Sequence, residues 1–157
     1  MFRLNRLTDY GVVVLSQMCL SNDPLCSAQQ IARRTGVPLP TVAKVLNILT
    51  RENLVDSHRG ATGGYTLSRP AQDIKVAEII EALEGPIALT ACAENAEGHC
   101  EVEATCPMRG SWDKVNRAIR QALEHVSLAE MVGNGGGLFM LAEEAAAEVG
   151  GRPATAR

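Results

Sequence analysis

The chain has 157 residues, of which 46% are hydrophobic and only 3% aromatic. This length is enough for one ordinary domain with a real core, and the small aromatic share favours aliphatic residues packed between helices. No run of about 18 apolar residues is present, so a membrane span is not expected. The residues after Met1 also lack the pattern of a secretory signal, and we therefore expect a cytoplasmic protein.

The net charge of -3 is distributed unevenly. Residues 1–70 carry eight Lys and Arg against four Asp and Glu, a balance of +4, whereas residues 71–157 carry seven against fourteen, a balance of -7. A basic front half and an acidic back half favour a polyanionic partner for the front half alone. Nucleic acid is therefore a candidate partner of residues 1–70.

Three helices are predicted in the front half, because apolar residues recur at helical spacing between segments that break helices. Thr8 or Asp9 can cap the first helix, and Ser27 can cap the second. Gly36 suits a turn with positive φ, and Pro40 suits the first turn of the third helix. Two short helices joined by a tight glycine turn favour a helix-turn-helix, although any small helical hairpin would show the same pattern. The predicted helices are 8–20, 28–34 and 40–52, and the third is expected to bury Val42, Val45, Leu46 and Leu49.

A β-hairpin is predicted directly after the third helix, with strands at 54–59 and 65–68 around a glycine-rich tip. Such a hairpin is a wing, which can lay Arg59 into a minor groove while the third helix enters the major groove. Gly63 at the tip would let backbone amides approach phosphates closely. The competing interpretation of Gly63 and Gly64 is the phosphate loop of an enzyme. It is rejected because no Gly-Lys-Ser/Thr follows and the flanks form a hairpin.

The sequence becomes helical again after Pro70. A helix over 76–83 is predicted, with Asp73 as its cap, and a longer helix over 111–125 carries one apolar stripe. No second long helix matches this stripe, so we expect a two-fold dimer that buries it against its own copy. Packing on the winged-helix part of the same chain is the alternative. The stripe consists of Trp112, Val115, Ile119, Ala122 or Leu123, and Val126.

Three of the five cysteines, Cys92, Cys100 and Cys106, fall within fifteen residues that have almost no apolar periodicity. In a cytosolic protein an odd number of cysteines favours metal ligands or redox groups over disulfides. A structural zinc site completed by His99 and a thiol redox switch without metal are both compatible with this spacing. The other two cysteines are expected to be small buried residues. No Ser/His/Asp set or phosphate loop supports catalysis, so an enzyme is not expected.

Four segments in this order resemble the Rrf-type winged-helix transcriptional regulators, the group that contains the iron–sulfur regulator IscR and the nitric-oxide-sensitive repressor NsrR. The resemblance covers about residues 2–132. Within the group, residues 84–90 and 106–112 look most like the regulator of the SUF iron–sulfur assembly system. The four segments are Leu7-Thr8-Asp9-Tyr10-Gly11, the wing from Arg59 to Leu67, Ile79 to Gly85, and the three-cysteine loop.

The resemblance implies a mainly α fold, with a winged helix-turn-helix and a long C-terminal dimerisation helix. It implies a homodimeric repressor of iron–sulfur assembly genes that binds a palindromic operator in double-stranded DNA. The expected DNA contacts come from Pro40, Thr41 and Lys44 in the third helix and from Arg59 in the wing. The expected organisation is a DNA-binding region (1–70), a connecting helix with the cysteine loop (71–110), a dimerisation helix (111–132) and a disordered tail (133–157).

The resemblance also implies an iron–sulfur cluster, of the [2Fe–2S] type, on the three clustered cysteines. IscR-like relatives supply a fourth ligand from a His three residues after the last cysteine, but this sequence has Arg109 there, which cannot coordinate iron. NsrR-like relatives instead use an acidic residue at the place of Asp9. A nitric-oxide- or redox-responsive repressor and a regulator with zinc or no metal remain as alternatives. The candidates for the fourth ligand are His99, the acidic residues Glu94, Glu101 and Glu103, and Asp9 of the partner subunit.

Overall fold

The computed structural model describes residues 3–60, 62–91, 105–108 and 111–133. Within them, the chain forms a mainly helical winged-helix fold with one two-stranded antiparallel sheet, as the sequence predicted. Among the described residues, no helix combines the length and the hydropathy that a membrane crossing requires. The elements are α1 (Arg6–Leu20), α2 (Ala28–Thr35), α3 (Leu39–Arg51), β1 (Val55–His58), β2 (Gly64–Leu67), a 3-10 turn (Ala71–Asp73), α4 (Val76–Glu84) and α5 (Ser111–His125), and residues 128–133 are also helical.

Helix α1 is capped by Asn5, and the prediction of Thr8 or Asp9 as the cap was wrong. The extended backbone of Asn5 lets its side-chain oxygen accept a hydrogen bond of 2.9 Å from the Thr8 N–H. The Thr8 hydroxyl is instead occupied by a tertiary contact, because it donates to Glu84 at the end of α4. The cap therefore lies one turn earlier than the sequence pattern suggested.

Helices α2 and α3 follow their sequence signals closely. Ser27 and Gln30 form a reciprocal capping box at the start of α2. Gly36 ends α2 with φ 72°, in the left-handed region that glycine adopts without strain. The residues predicted to be buried in α3, Val42, Val45, Leu46 and Leu49, are all buried.

The wing is fastened to the helical core rather than projecting freely. Its strands pair in register from Val55 opposite Leu67 to His58 opposite Gly64. Cys26 and Tyr65 exchange two backbone hydrogen bonds of 3.0 and 2.8 Å, which joins β2 to the segment before α2. Cys26 is buried, as predicted, whereas Cys19 is only half-buried.

Helix α4 starts from Lys75, so the prediction of Asp73 as its cap was also wrong. Asp73 lies in the preceding 3-10 turn, and Lys75 takes the extended backbone of the cap position. The Glu78 carboxylate reaches back to accept the Lys75 N–H at 2.8 Å. Glu78, which lies within α4, thus supplies the acceptor for the backbone N–H of Lys75 at the start of the helix.

Two apolar clusters meet at α4. The main core joins α1, α2, α3, the wing, Ile74, Ile79 and Leu128. A smaller cluster consists of Val76, Ala77, Ile80 and Ile87, with Ile119 and Leu123 of α5 packed against it. Helix α4 therefore presents one face to the winged-helix core and the other to α5.

Candidate functional site: the α3 face, the wing and the base of the cysteine loop

The outward side of α3 is a polar and basic stripe. Pro40, Lys44, Asn47 and Arg51 are exposed and recur every three or four residues, opposite the buried apolar side. Thr41 is half-buried beside them. Of these, Asn47 and Arg51 were not predicted, although the same helical periodicity that identified the buried side would have identified them.

The first turn of α3 has no side-chain cap. Leu39 in this turn is 41% exposed. The helix begins one residue before the predicted start at Pro40, so Leu39 was not among the predicted residues.

The wing places Arg59 just beyond β1, with an exposed side chain. Its tip is closed by a hydrogen bond of 3.0 Å from the Gly63 N–H to the Gly60 carbonyl. A Cβ atom on Gly63 would lie 2.5 Å from the His58 carbonyl oxygen, so only glycine fits. The turn itself therefore requires glycine at position 63. The contact of Gly63 with phosphate stays a prediction.

Two further exposed arginines belong to α2, which packs against α3. Arg33 and Arg34, in the last turn of α2, are both exposed. Arg34 donates a hydrogen bond of 3.2 Å to the Ser21 hydroxyl. Together with Lys44, Arg51 and Arg59 they are five of the eight basic residues in the front half. The charge count included Arg33 and Arg34 but gave them no role.

The structure describes only part of the predicted metal site. Cys106 is half-buried and not in a disulfide, whereas Cys92, Cys100, His99 and Arg109 lie outside the described residues. Within the described ranges, no three His, Cys, Asp or Glu side chains come together as a metal site. Asp9 is exposed in the first turn of α1, where it lines an open cleft that also contains Arg3, Arg6 and Met131.

The two ends of the cysteine loop are both attached to α5. Before the loop, the residues 87–89 are bound by Asn116: its Nδ2 donates to the Ile87 carbonyl at 2.8 Å, and its Oδ1 accepts the Leu89 N–H at 3.2 Å. After the loop, the Ser111 N–H donates to the Met108 carbonyl at 2.9 Å, which joins Cys106 and its neighbours to the start of α5. The described residues on both sides of the loop are therefore hydrogen-bonded to α5.

A polar contact links the same region to α1. One carboxylate oxygen of Glu84 accepts the Asn5 N–H at 2.8 Å and the buried Thr8 hydroxyl at 2.6 Å. Nearby, the Leu83 side chain of α4 packs over Gly11 of α1 and fills the space that a Cβ atom there would need. The end of α4 is thus held against the start of α1.

The apolar stripe of α5 is divided between two surroundings. Ile119 and Leu123 pack on the small cluster around Ile80 of α4, and not on the winged-helix core that the single-chain alternative named. Trp112 and Val115 remain 40% and 44% exposed. Half of the stripe is therefore covered within the described chain, and the other half faces outward.

Comparison with protein families decides the classification. The family model described as "Rrf2: Iron-dependent Transcriptional regulator" matches residues 4–134. The chain belongs to the Rrf2 family. The HTH-type transcriptional regulator NsrR of Oceanobacillus iheyensis is 30% identical to it over 132 residues, which cover 83% of this chain and 90% of that protein. The family that the sequence motifs predicted is confirmed.

Solved structures agree with this classification. The structure of T. potens IscR matches with 29% identity and a TM-score of 0.60, covering 85% of this chain and 88% of that one. CymR (YrzC), the global cysteine regulator of B. subtilis, matches with a TM-score of 0.65 and 24% identity, over 85% of this chain and 98% of that one. At that identity, the likeness to CymR supports the winged-helix fold alone. As an Rrf2 protein, the chain is a winged-helix transcriptional regulator.

Proposed function

We propose that this Rrf2 protein is a homodimeric, operator-binding repressor of iron–sulfur assembly genes, regulated through an iron–sulfur cluster on Cys92, Cys100 and Cys106. The observation that carries the DNA-binding part is the exposed stripe of Pro40, Lys44, Asn47 and Arg51 beside the wing. A helix with this stripe fits a major groove, and a basic hairpin beside it fits the adjacent backbone or minor groove.

The DNA contacts are tested by two variants, each of which removes one lysine: one from α3 and, as the control, one from α5. Lys44→Ala should weaken operator binding by about 1 kcal/mol or more and lower the salt dependence of the binding constant by about one unit, since one phosphate or base contact is lost. Lys114→Ala removes the same charge from the exposed face of α5 and should leave both quantities unchanged. Fluorescence anisotropy at several salt concentrations measures them. Equal losses in the two variants would refute a specific role for the α3 face.

The dimer is supported by the outward half of the α5 stripe, where Trp112 and Val115 are exposed, and by Val126 just after the helix, which is exposed as well. Exposed aromatic and aliphatic side chains aligned on one helix face are typical of a coiled-coil-like seam between two copies. A two-fold dimer would also place two α3 helices on a palindrome. Val115→Glu should dissociate the dimer in analytical ultracentrifugation, whereas Gln121→Glu, on the opposite face of the same helix, should not.

The cysteine loop fits the proposed cluster in its donor chemistry. Thiolates are the usual ligands of iron–sulfur clusters, and the thiol of Cys106 is not in a disulfide. Cys92 follows Leu89 by three residues, which span at most about 11 Å, and Leu89 is hydrogen-bonded to α5, the helix that follows Cys106 in the sequence. A cluster with three thiolates and a weak fourth ligand is sensitive to oxidants and nitric oxide, and this chemistry would supply the signal.

Anaerobic purification tests the cluster. The wild-type chain should contain iron and acid-labile sulfide with the absorption and EPR spectra of a cluster, and Cys106→Ser should lose most of the iron. Cys19→Ala removes a half-buried thiol outside the loop and should keep it. A colourless, iron-free wild-type protein that binds its operator tightly would refute regulation by a cluster, and zinc in its place would favour the structural-zinc alternative.

The fourth ligand is tested separately at Asp9. Asp9 is exposed in the first turn of α1, so a partner subunit could reach it. If the Asp9 carboxylate of the partner binds the cluster, Asp9→Ala should shift the absorption spectrum and speed the loss of iron without changing operator binding by the metal-free protein. An unchanged spectrum would exclude Asp9 and leave the loop residue His99 as the next candidate.

A further inference from the structure

We infer that Asn116 is a positioning residue for the cysteine loop: its side chain sets the register in which residues 87–89 lie on α5, and so the place from which Cys92 departs. This inference rests on the proposed function, since it concerns the same cysteines. It adds a residue that lies outside the loop and carries no ligand atom for the cluster.

The burial of Asn116 is the first argument. Among the fifteen described residues of α5, Asn116 alone is buried, with 5% of its surface exposed. It lies next to the apolar cluster of Val76, Ile80 and Ile87, where an amide without partners would be costly. Both ends of this amide are bonded, and both bonds go to the same three-residue segment.

The geometry of the two bonds is the second argument. In an extended chain, the carbonyl of one residue and the N–H of the residue two positions later point to the same side. A primary amide presents one donor and one acceptor in a single plane, so it pairs with such a segment as a neighbouring strand would. Asn116 pairs in this way with the Ile87 carbonyl and the Leu89 N–H.

The consequence is a defined register. A slip of one residue would turn the backbone groups of the segment to its other side, and neither bond could form. The segment that precedes Cys92 is therefore bound in one fixed alignment to the second turn of α5. Cys106 is connected to the first turn of α5 through the hydrogen bond between Met108 and Ser111. Asn116 thus holds the segment before the loop on the same helix that follows Cys106.

Hydrogen exchange of the metal-free protein tests the contact itself. The Leu89 amide should be protected in the wild type and should exchange at least tenfold faster in Asn116→Leu, which has a similar shape and no polar atoms. The amides of Leu46 and Leu49 in α3, measured in the same experiment, report global unfolding. They should stay protected, because α3 belongs to the separate main core.

Iron retention tests the purpose of the contact. After reconstitution with ferrous iron and sulfide, Asn116→Leu should lose iron to a chelator about ten to a hundred times faster than the wild type, the range found when a residue that orients metal ligands is removed. Gln121→Leu is the matched control, because it replaces an exposed amide of the same helix. It should lose iron at the wild-type rate.

A second variant guards against misfolding. Asn116→Asp keeps the acceptor for the Leu89 N–H but sets an oxygen in place of the donor to the Ile87 carbonyl, so both of its rates should exceed those of the wild type. Unchanged iron loss in both variants, or an unprotected Leu89 amide in the wild type, would overturn the inference.

If the wild type retains no iron, the proposed function fails first. Protection of Leu89 that depends on Asn116 would then survive as a structural fact, and its assigned purpose would be wrong.

Discussion

The winged-helix half and the α5 half of this protein are built in different ways. In α3, Val42, Val45, Leu46 and Leu49 are buried in one continuous core shared with α1, α2 and the wing. In α5, a helix of similar length, the one buried residue is a polar one, and apolar side chains face outward. The first half is stabilised by its own core, whereas the second is held by a few specific contacts. The α5 half is therefore expected to have a lower local stability than the winged-helix half.

The sharpest test of this contrast compares two leucines. Leu46→Ala in the main core should lower the free energy of unfolding by about 2–5 kcal/mol, because a fully buried side chain leaves a cavity. Leu123→Ala, half-buried on the small cluster, should cost only about 1 kcal/mol. Denaturant unfolding at low protein concentration measures both. Equal losses of unfolding free energy would mean that a second chain also covers Leu123, as in a tight dimer.

The contact between α1 and α4 can be weakened by a substitution at Glu84. Glu84→Ala removes the acceptor of the Asn5 N–H and of the buried Thr8 hydroxyl, and should cost about 1–3 kcal/mol of unfolding free energy. Glu124→Ala removes an exposed glutamate that makes only a surface ion pair with Arg120, and should cost about 0.5 kcal/mol or less. A loss no larger than that of the control would mean that the α1–α4 contact is held by apolar packing alone.

The far end of α5 offers a smaller test. Ser127 is buried, and its hydroxyl accepts the Glu130 N–H at 3.2 Å, which caps the helical residues 128–133. Ser127→Ala should lower the unfolding free energy by about 1 kcal/mol, as for other lost caps. The neighbouring hydrogen bonds between residues 74–76 and 126–128 involve backbone groups only and should survive in hydrogen exchange. Their loss would show that the cap holds the whole end of α5.

The smallest expected effect is a dependence on pH at Glu130. Hydrogen bonds from the Ser127 N–H and hydroxyl lower the pKa of the Glu130 carboxyl below its ordinary value. A carboxyl whose pKa is lowered by folding stabilises the fold above its ordinary pKa, near 4.3, and loses this contribution as the pH falls through the lowered value. NMR titration should therefore show the pKa of Glu130 rising toward its ordinary value in Ser127→Ala. An unchanged pKa would mean that the backbone hydrogen bond alone lowers it.

Local pattern was sufficient for most of the fold. The apolar period of 42–49, the glycine turn at Gly36 and the hairpin after α3 each depend on residues that are close in sequence, and all three were predicted correctly. The family followed from motifs in the same front-to-back order. The outward side of α3 was predicted only at Pro40, Thr41 and Lys44. Asn47 and Arg51 lie on the same side, one and two turns further along the helix, and were not predicted.

The sequence by itself therefore determined the winged helix, the family and the residue types available for a metal. The tertiary structure decided which polar groups meet. Thr8 lies 76 residues from Glu84, and Asn116 lies 29 from Ile87, so no local period relates them. Apolar periodicity reports only which side of a helix turns inward, since burial is not directional. A hydrogen bond needs a specific partner at a specific distance and angle, and that partner is known only once the chain has folded.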